Sequence, residues 1–305
     1  MNYLLVGGSS KLAINYINEC VGRSTINFIC IDNVEIDKEI TVDQEVNIYF
    51  KYIKTELNKE NINKIMNEYP IDRVINFHEL REYGHDTIEY TKNNYDFVVD
   101  LHDCCVKNKV KHFTQISTAN VYGNSSTLRV ESDPLKMTDD YIVSKINSEL
   151  YLLNQTDIPA VVLRVSEVFG NVLKDHYLDR IIKNILNDEE IIIKEDSEFI
   201  RTYIDVQDCI YFIDTSSRQK IEGAYNVCSN LHLSSKDILD TIINEFNYTK
   251  EVVYTNEKPL NLTSVKVESN SISKLLSYSL TRQELKYKYY IERLKQKYIQ
   301  MKKQG

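Results

Sequence analysis

A chain of 305 residues with 42% hydrophobic and 27% charged residues can bury one large core or two moderate ones. Its formal net charge of -8 argues against nucleic acid as the main partner, and no apolar run approaches the ~18 residues of a membrane span. Six scattered cysteines form no CxxC pair, so neither a metal site nor a disulfide framework is expected.

The first residues enter an apolar run without a basic leader, so no signal peptide is expected and the chain reads as cytoplasmic. Residues 3–6 form a strand, followed by Gly7-Gly8-Ser9-Ser10 and a helical pattern with Leu12, Ala13, Tyr16, Ile17 and Cys20 on one face. A second strand over 26–31 is closed by Asp32-Asn33. A third strand-like stretch runs from Val46 to Ile53 and ends near Thr55-Glu56. A helix from Asn61 to Tyr69 is stopped by Pro70, and Asp72 to Phe77 is a fourth strand. A long helical pattern covers 86–108, a strand follows at 112–116, and a helix opening at Tyr141 runs through Leu150 and Leu153 to a strand at 160–164. Strands alternating with helices predict an α/β fold, a Rossmann-type doubly wound parallel sheet. In such a sheet the turn after the first strand holds a pyrophosphate at a helix N-terminus. Gly7 and Gly8 would let the backbone approach it, and Asp32 would bind the adenosine ribose. Gly7-Gly8 alone is equally a plain strand-to-helix turn; Asp32 and the ordered strands favour the dinucleotide.

The second half is less regular. A helix is expected over 175–186, a short strand over 191–193, and a strand from Glu198 to Asp205 that carries Arg201. Residues 224–228 are strand-like, Ser234 to Asp237 caps a helix through Phe246, and Arg282 to Gln304 is a charged amphipathic helix. The expected architecture is a dinucleotide domain over 1–165, completed by a strand near 203–212. A smaller α/β lobe over 166–202 and 229–305 would bind substrate in the cleft between them.

Thr118 ends the strand at 112–116, and 23 residues later come Tyr141 and Lys145, four apart on one helical face. An ammonium beside a phenol favours the phenolate and lowers its pKa from about 10, so the phenol can exchange a proton near neutrality. Thr118 could hold the oxygen being oxidised or reduced. In a chain with 22 tyrosines, Tyr-x3-Lys alone is weak: the bland reading is a packed tyrosine and a solvated lysine. After a dinucleotide fold, the same residues are the kit for hydride transfer between an alcohol or ketone and a nicotinamide.

The order of these motifs resembles the extended short-chain dehydrogenase/reductase family, in its NAD-dependent nucleotide-sugar epimerase/dehydratase branch. Ser117-Thr118-Ala119-Asn120-Val121-Tyr122-Gly123 is similar to its Ser-Ser/Thr-x-x-Val-Tyr-Gly signature, Arg201 with Val206 and Asp208 to its Arg-x4-Val-x-Asp run, and Tyr225-Asn226-Val227 to another family string. The resemblance implies catalysis by Thr118, Tyr141 and Lys145. It implies NAD contacts at Gly7, Ser10, Lys11, Leu12, Asp32, Asn33, Glu56, Leu57, Phe77, Asn94, Tyr141 and Lys145. NAD is expected before NADP, because the Asp32 carboxylate repels a 2′-phosphate. Substrate, a nucleotide-diphosphate sugar, would meet Asn120, Glu167 and Arg201. The family's flank for a homodimer corresponds to the helices around 91–108 and 141–154. Departures are also plain: the phosphate loop reads Gly7-x-x-Ser10-x-x-Ala13, and His78 and Glu79 replace small residues. Ala119 and Asn120 replace the acidic pair of dehydratases, which disfavours 4,6-dehydration and leaves a 4-epimerase or a 4-keto reductase. The competing reading is a catalytically degenerate relative that binds a nucleotide or sugar as sensor or partner subunit.

Overall fold

The apolar runs of the first half are continuous rather than alternating because both faces of their sheet are covered. The computed structural model describes residues 1–20, 26–42, 50–81, 84–170, 177–193, 199–255 and 264–304. The parts of expected elements at 46–49, 175–176 and 198 lie outside these residues. In chain order the first half contains β1 (Asn2–Val6), α1 (Lys11–Cys20), β2 (Asn27–Asp32), β3 (Phe50–Lys54), α2 (Lys59–Glu68) and β4 (Arg73–Asn76). Next, α3 (Thr87–Tyr90) continues through a π-helical stretch (Thr91–Asp96) into α4 (Phe97–Lys107). Then come β5 (His112–Thr118), a 3-10 turn (Ala119–Tyr122), β6 (Ser125–Arg129), α5 (Asp140–Leu153) and β7 (Ala160–Val165). The second half adds β8 (Glu167–Phe169), α6 (Tyr177–Leu186), β9 (Ile191–Ile193), β10 (Ile200–Asp205), α7 (Val206–Gln219), β11 (Gly223–Val227) and β12 (Leu231–Ser234). It closes with α8 (Ser235–Phe246), β13 (Val252–Tyr254), β14 (Val265–Val267), α9 (Asn270–Leu275) and α10 (Gln283–Gln304).

Seven parallel strands form the main sheet in the order β11-β7-β5-β4-β1-β2-β3. This is the doubly wound α/β arrangement, in which ligands bind beyond the carboxyl ends of the strands. Alternate residues of β1 feed opposite cores. Tyr3 and Leu5 join Tyr16, Ile17, Phe212 and Ile213 of α1 and α7, and Leu4 and Val6 join Ile62, Ile65, Leu101 and Cys105 of α2 and α4. No helix among the described residues is long and apolar enough to cross a membrane.

The strand expected near 203–212 to complete this sheet is not there. β10 stops at Asp205, whose side chain accepts from the Gln207 N–H at 3.0 Å and caps α7. Val206, Cys209, Ile210 and Ile213 then fall at helical spacing and are buried. The seventh strand is β11, paired with β7 from Gly223↔Val161 to Val227↔Val165. A second sheet orders β12-β10-β14-β6, with β8 also on β10, and β13 pairs β9. The expected division at 165 is therefore crossed in both directions: β6 serves the second sheet, while α7 and β11 serve the first. The smaller lobe has its own core, in which Phe169, Ile191 and Leu239 meet Tyr287, Tyr290 and Ile291 of α10.

A buried polar bridge ties α5 to the sheet. The Glu149 carboxylate accepts from Arg164 Nε and Nη2, each at 2.9 Å, and from the Ser117 hydroxyl. Arg164 Nη1 donates to the Tyr122 hydroxyl at 2.9 Å, and that hydroxyl donates to Asn226 Oδ1 at 2.7 Å. Both members of the ion pair are almost fully inaccessible. Removing one partner of such a pair leaves an uncompensated buried charge, at a cost of roughly 3–5 kcal/mol. Glu149→Ala should lower the unfolding free energy by that order in urea denaturation, and Glu149→Gln by a comparable amount, since either change leaves the buried Arg164 charge without its counter-ion. Equal stability of Glu149→Ala and wild type would contradict this account of the bridge.

Candidate active site

Beyond the carboxyl ends of β4, β5 and β7 lies a cavity of about 420 Å³. Ser10, Lys11, Leu12, Phe77 and Glu79 line one side, Thr118, Asn120 and Tyr141 the middle, and Glu167, Val168, Arg201 and Val265 the far side. Thr118 is both the last residue of β5 and the cap of the 3-10 turn, its Oγ1 accepting from the Asn120 N–H at 3.2 Å. Asp139 caps α5 by accepting from the Ile142 N–H at 2.9 Å, which places Tyr141 in the first turn, at the cavity. Lys145 sits one turn further on and is 1% exposed. Its ammonium donates to the Ile116 carbonyl and to Glu79 Oε2, both at 3.0 Å.

Glu79 is the residue that sequence reasoning missed as a site member. Its Oε2 also accepts from the Tyr141 hydroxyl at 3.0 Å. The segment that presents it is clamped on both sides. The His78 N–H donates to Asn76 Oδ1 at 3.1 Å, and Asn94 both accepts from the Leu80 N–H at 2.7 Å and donates to the Leu80 carbonyl at 3.0 Å. Burial pushes the Glu79 carboxyl upward, but Lys145, Arg81 and the bonds from Lys145 and Tyr141 together hold it below the usual range. Glu79 is therefore an anion. Burial holds the neighbouring His78 below its ordinary value, so its ring is neutral near pH 7. The only sequence signal for Glu79 was its place directly after β4, at the ligand edge of the sheet.

The residues expected to hold the cofactor divide into groups. Ser10, Lys11, Leu12 and Phe77 line the cavity with Tyr141. Gly7 has φ +81°, and a Cβ there would lie 2.5 Å from the His78 nitrogen; at Gly8 a Cβ would collide with Cys30. Their missing side chains thus serve close packing of neighbouring strand ends. Lys11 is paired with Glu39 at 2.5 Å. The Asp32 carboxylate accepts from the Ser9 N–H and the Asn33 N–H, each at 2.7 Å, which ties the end of β2 to the loop after β1. Asp32, Asn33, Glu56 and Leu57 do not line this cavity. Leu57 packs partly buried on the α2–α4 core, and the Glu56 carbonyl accepts from the Asn58 N–H. Asn94 is 2% exposed and binds the Leu80 backbone and the Ser144 hydroxyl, so it supports the site from behind. A nicotinamide dinucleotide fits this frame. Ser10, Lys11 and Leu12 at the N-terminus of α1 line the cavity, and Asp32 at the end of β2 retains unshared lone pairs for hydroxyl donors. Glu79 lines the same cavity beside Tyr141. On the substrate side, Glu167 and Arg201 come together on paired strands β8 and β10, with Arg201 Nη1 3.4 Å from Glu167 Oε1. Asn120 is brought to the same cavity.

A family model described as the NAD dependent epimerase/dehydratase family matches residues 5–228. A dTDP-D-glucose 4,6-dehydratase of Dictyostelium discoideum is 26% identical over 273 residues, covering 79% of this chain and 61% of that protein. This chain therefore spans about three fifths of the length of that relative. A dTDP-4-dehydro-6-deoxyglucose reductase of Escherichia coli is 25% identical over 276 residues, 85% of each chain. Among solved structures, a UDP-N-acetylglucosamine 4-epimerase of Methanobrevibacter ruminantium in complex with UDP-N-acetylmuramic acid is similar at a TM-score of 0.83, with 22% identity and 98% of each chain covered. With the match spanning the sheet, the Thr118 strand end and the Tyr141–Lys145 helix, the chain belongs to the NAD-dependent epimerase/dehydratase family.

Proposed function

We propose that this chain transfers hydride at C4 of a nucleotide-diphosphate sugar, as a 4-epimerase or a 4-keto reductase. One observation carries the reading: Thr118 and Tyr141, with Lys145 one helical turn behind, open on a single cavity that continues to Arg201. NAD, when bound, supplies the group that accepts or returns the hydride. The turn from Gly7 and the first residues of α1, to Leu12, would hold its pyrophosphate, and Asp32 would take its adenosine ribose and disfavour a 2′-phosphate. Tyr141 moves the proton at the C4 oxygen, and Thr118 hydrogen-bonds the same oxygen and fixes its position. Lys145 sets the local charge. Arg201 meets the diphosphate, while Asn120 and Glu167 face the sugar. Ala119 and Asn120 offer no carboxyl acid, which argues against elimination across C5–C6.

Removing a general acid–base costs roughly 10²–10⁴-fold in turnover. Tyr141→Phe should lose that much with nucleotide-sugar binding almost unchanged. Lys145→Ala should lose turnover and NAD affinity together, and Thr118→Val mainly turnover. Full activity of Tyr141→Phe on a nucleotide sugar that wild type turns over would remove Tyr141 from the mechanism. The two chemistries separate on the absorbance of the purified protein. Retained NAD supports the epimerase, whereas NAD-free protein that consumes NADH with a 4-keto nucleotide sugar supports the reductase.

The Glu79 carboxylate on Tyr141 and Lys145 is the observation that favours the second reading, a catalytically silent binder. Binding of UDP- or dTDP-sugars in a thermal-shift screen, with no turnover under either assay, would select it. We assign the dimer to the flank of α4 and α5, where Val106, Leu150 and Leu153 are exposed. Light scattering should give twice the chain mass, and a monomer at micromolar concentration would refute that assignment.

A further inference from the structure

The Tyr141 hydroxyl and the Lys145 ammonium converge on one atom, Oε2 of Glu79, each at 3.0 Å. The arrangement is built rather than incidental, because the Glu79 backbone is held between Asn76 and Asn94 and the Lys145 ammonium is also held by the Ile116 carbonyl. Tyr141 therefore does not face an ammonium alone. Among the described residues, the charged and titratable groups facing it include Glu79, itself beside Arg81 and the neutral His78, Lys145 on its own helix, and Tyr90 packed against its ring at 6.0 Å. Asp140, beside it in α5, is turned to the Thr87 hydroxyl at 2.6 Å.

We infer that Glu79 is a positioning residue that keeps Tyr141 a neutral phenol in the resting site, by accepting its hydrogen bond and offsetting the charge of Lys145. A phenolate at Tyr141 would face a carboxylate oxygen at hydrogen-bond distance, and like charges at that range oppose each other. With the carboxylate gone, the buried ammonium acts on the phenol unopposed, and the phenolate is favoured. Glu79 thus sets the state in which Tyr141 meets its substrate, without touching the reacting carbon.

This inference rests on the assignment of Tyr141 and Lys145 to the site. Its test uses neither nucleotide sugar nor NAD, so it can fail while the proposed reaction stands, and the reverse. The full chain is titrated while tyrosinate absorbance near ~295 nm is followed. Glu79→Gln minus wild type should gain about one tyrosinate between roughly pH 7 and 9, below the ordinary value of about 10. That gain should vanish in Glu79→Gln/Tyr141→Phe, and Glu79→Asp, which keeps the charge, should titrate like wild type. Superimposable curves for Glu79→Gln and wild type overturn the proposal, as does an early signal that survives Tyr141→Phe. If Glu79→Gln does not fold, wild type against Tyr141→Phe decides. Equal curves below about pH 9 support the role, and an early tyrosinate lost from wild type on Tyr141→Phe refutes it.

Discussion

The site depends first on a buried ion pair that does not itself line the cavity. Glu149 on α5 and Arg164 on β7 neutralise each other inside the protein, and Ser117 of β5 donates to the same carboxylate. A helix can slide or roll on an apolar sheet at modest cost, because apolar contact is not directional. A charge pair with satisfied hydrogen bonds cannot shift without exposing a charge to an apolar interior. The bridge therefore fixes the register of α5 against β5 and β7. That register puts Tyr141 and Lys145 beside Thr118, which lies next to Ser117 on β5. Residue types at a spacing of four are common; a helix held at one rotation and one height is what turns them into a site.

The second constraint is that three cations in or beside the cavity are matched by carboxylates. Lys11 pairs with Glu39, Lys145 with Glu79, and Arg201 with Glu167. A phosphate-bearing ligand entering such a cavity meets positive charge that is already engaged. Its binding must exchange one ion pair for another, which makes affinity depend on geometry more than on net attraction. The overall charge of -8 points the same way: long-range steering of an anion is not available, so recognition has to be local.

Much of this was legible in the sequence, for definable reasons. Strands buried on both faces carry continuous apolar runs, so β1, β2 and β7 stood out, while β4 and β5 were placed by shorter apolar stretches bounded by turn residues. Asp32, Thr118, Tyr141 and Lys145 could be placed because strand ends and helix starts bound them. Elements of the second sheet were harder. β8 and β14 are three residues each, too short for any periodicity, and β14 is paired only through residues distant in sequence. In the stretch around Asp205, Ile204 and Val206 alternate with polar residues, a pattern a short strand would also show. The helical spacing of Val206, Cys209, Ile210 and Ile213 becomes visible only over a longer window. Glu79 was noticed as a departure but not as a partner. Its meaning lies in a contact with residues 62 and 66 positions away, which no local pattern encodes.

The altered phosphate loop shows how a substitution can keep a frame while changing how it is held. The family motif has glycine where this chain has Ser10 and Ala13. The Ser10 hydroxyl accepts from the Ala13 N–H at 3.2 Å, so the first turn of α1 is capped by a side chain that glycine lacks. Ala13 is fully buried, and its single methyl fits where the helix packs on the sheet. Of the three family positions, Gly7 is the one that could not change: its φ of +81°, and a His78 backbone that any Cβ would meet at 2.5 Å, together exclude a side chain. The loop therefore keeps glycine where backbone geometry demands it. Elsewhere it uses a capping hydroxyl and a small apolar group, and the helix N-terminus still faces the cavity. Glu79 is carried on the segment directly after His78, the residue whose backbone Gly7 admits. The glycine that shapes the turn after β1 thus also lets the anion-bearing segment approach the sheet edge.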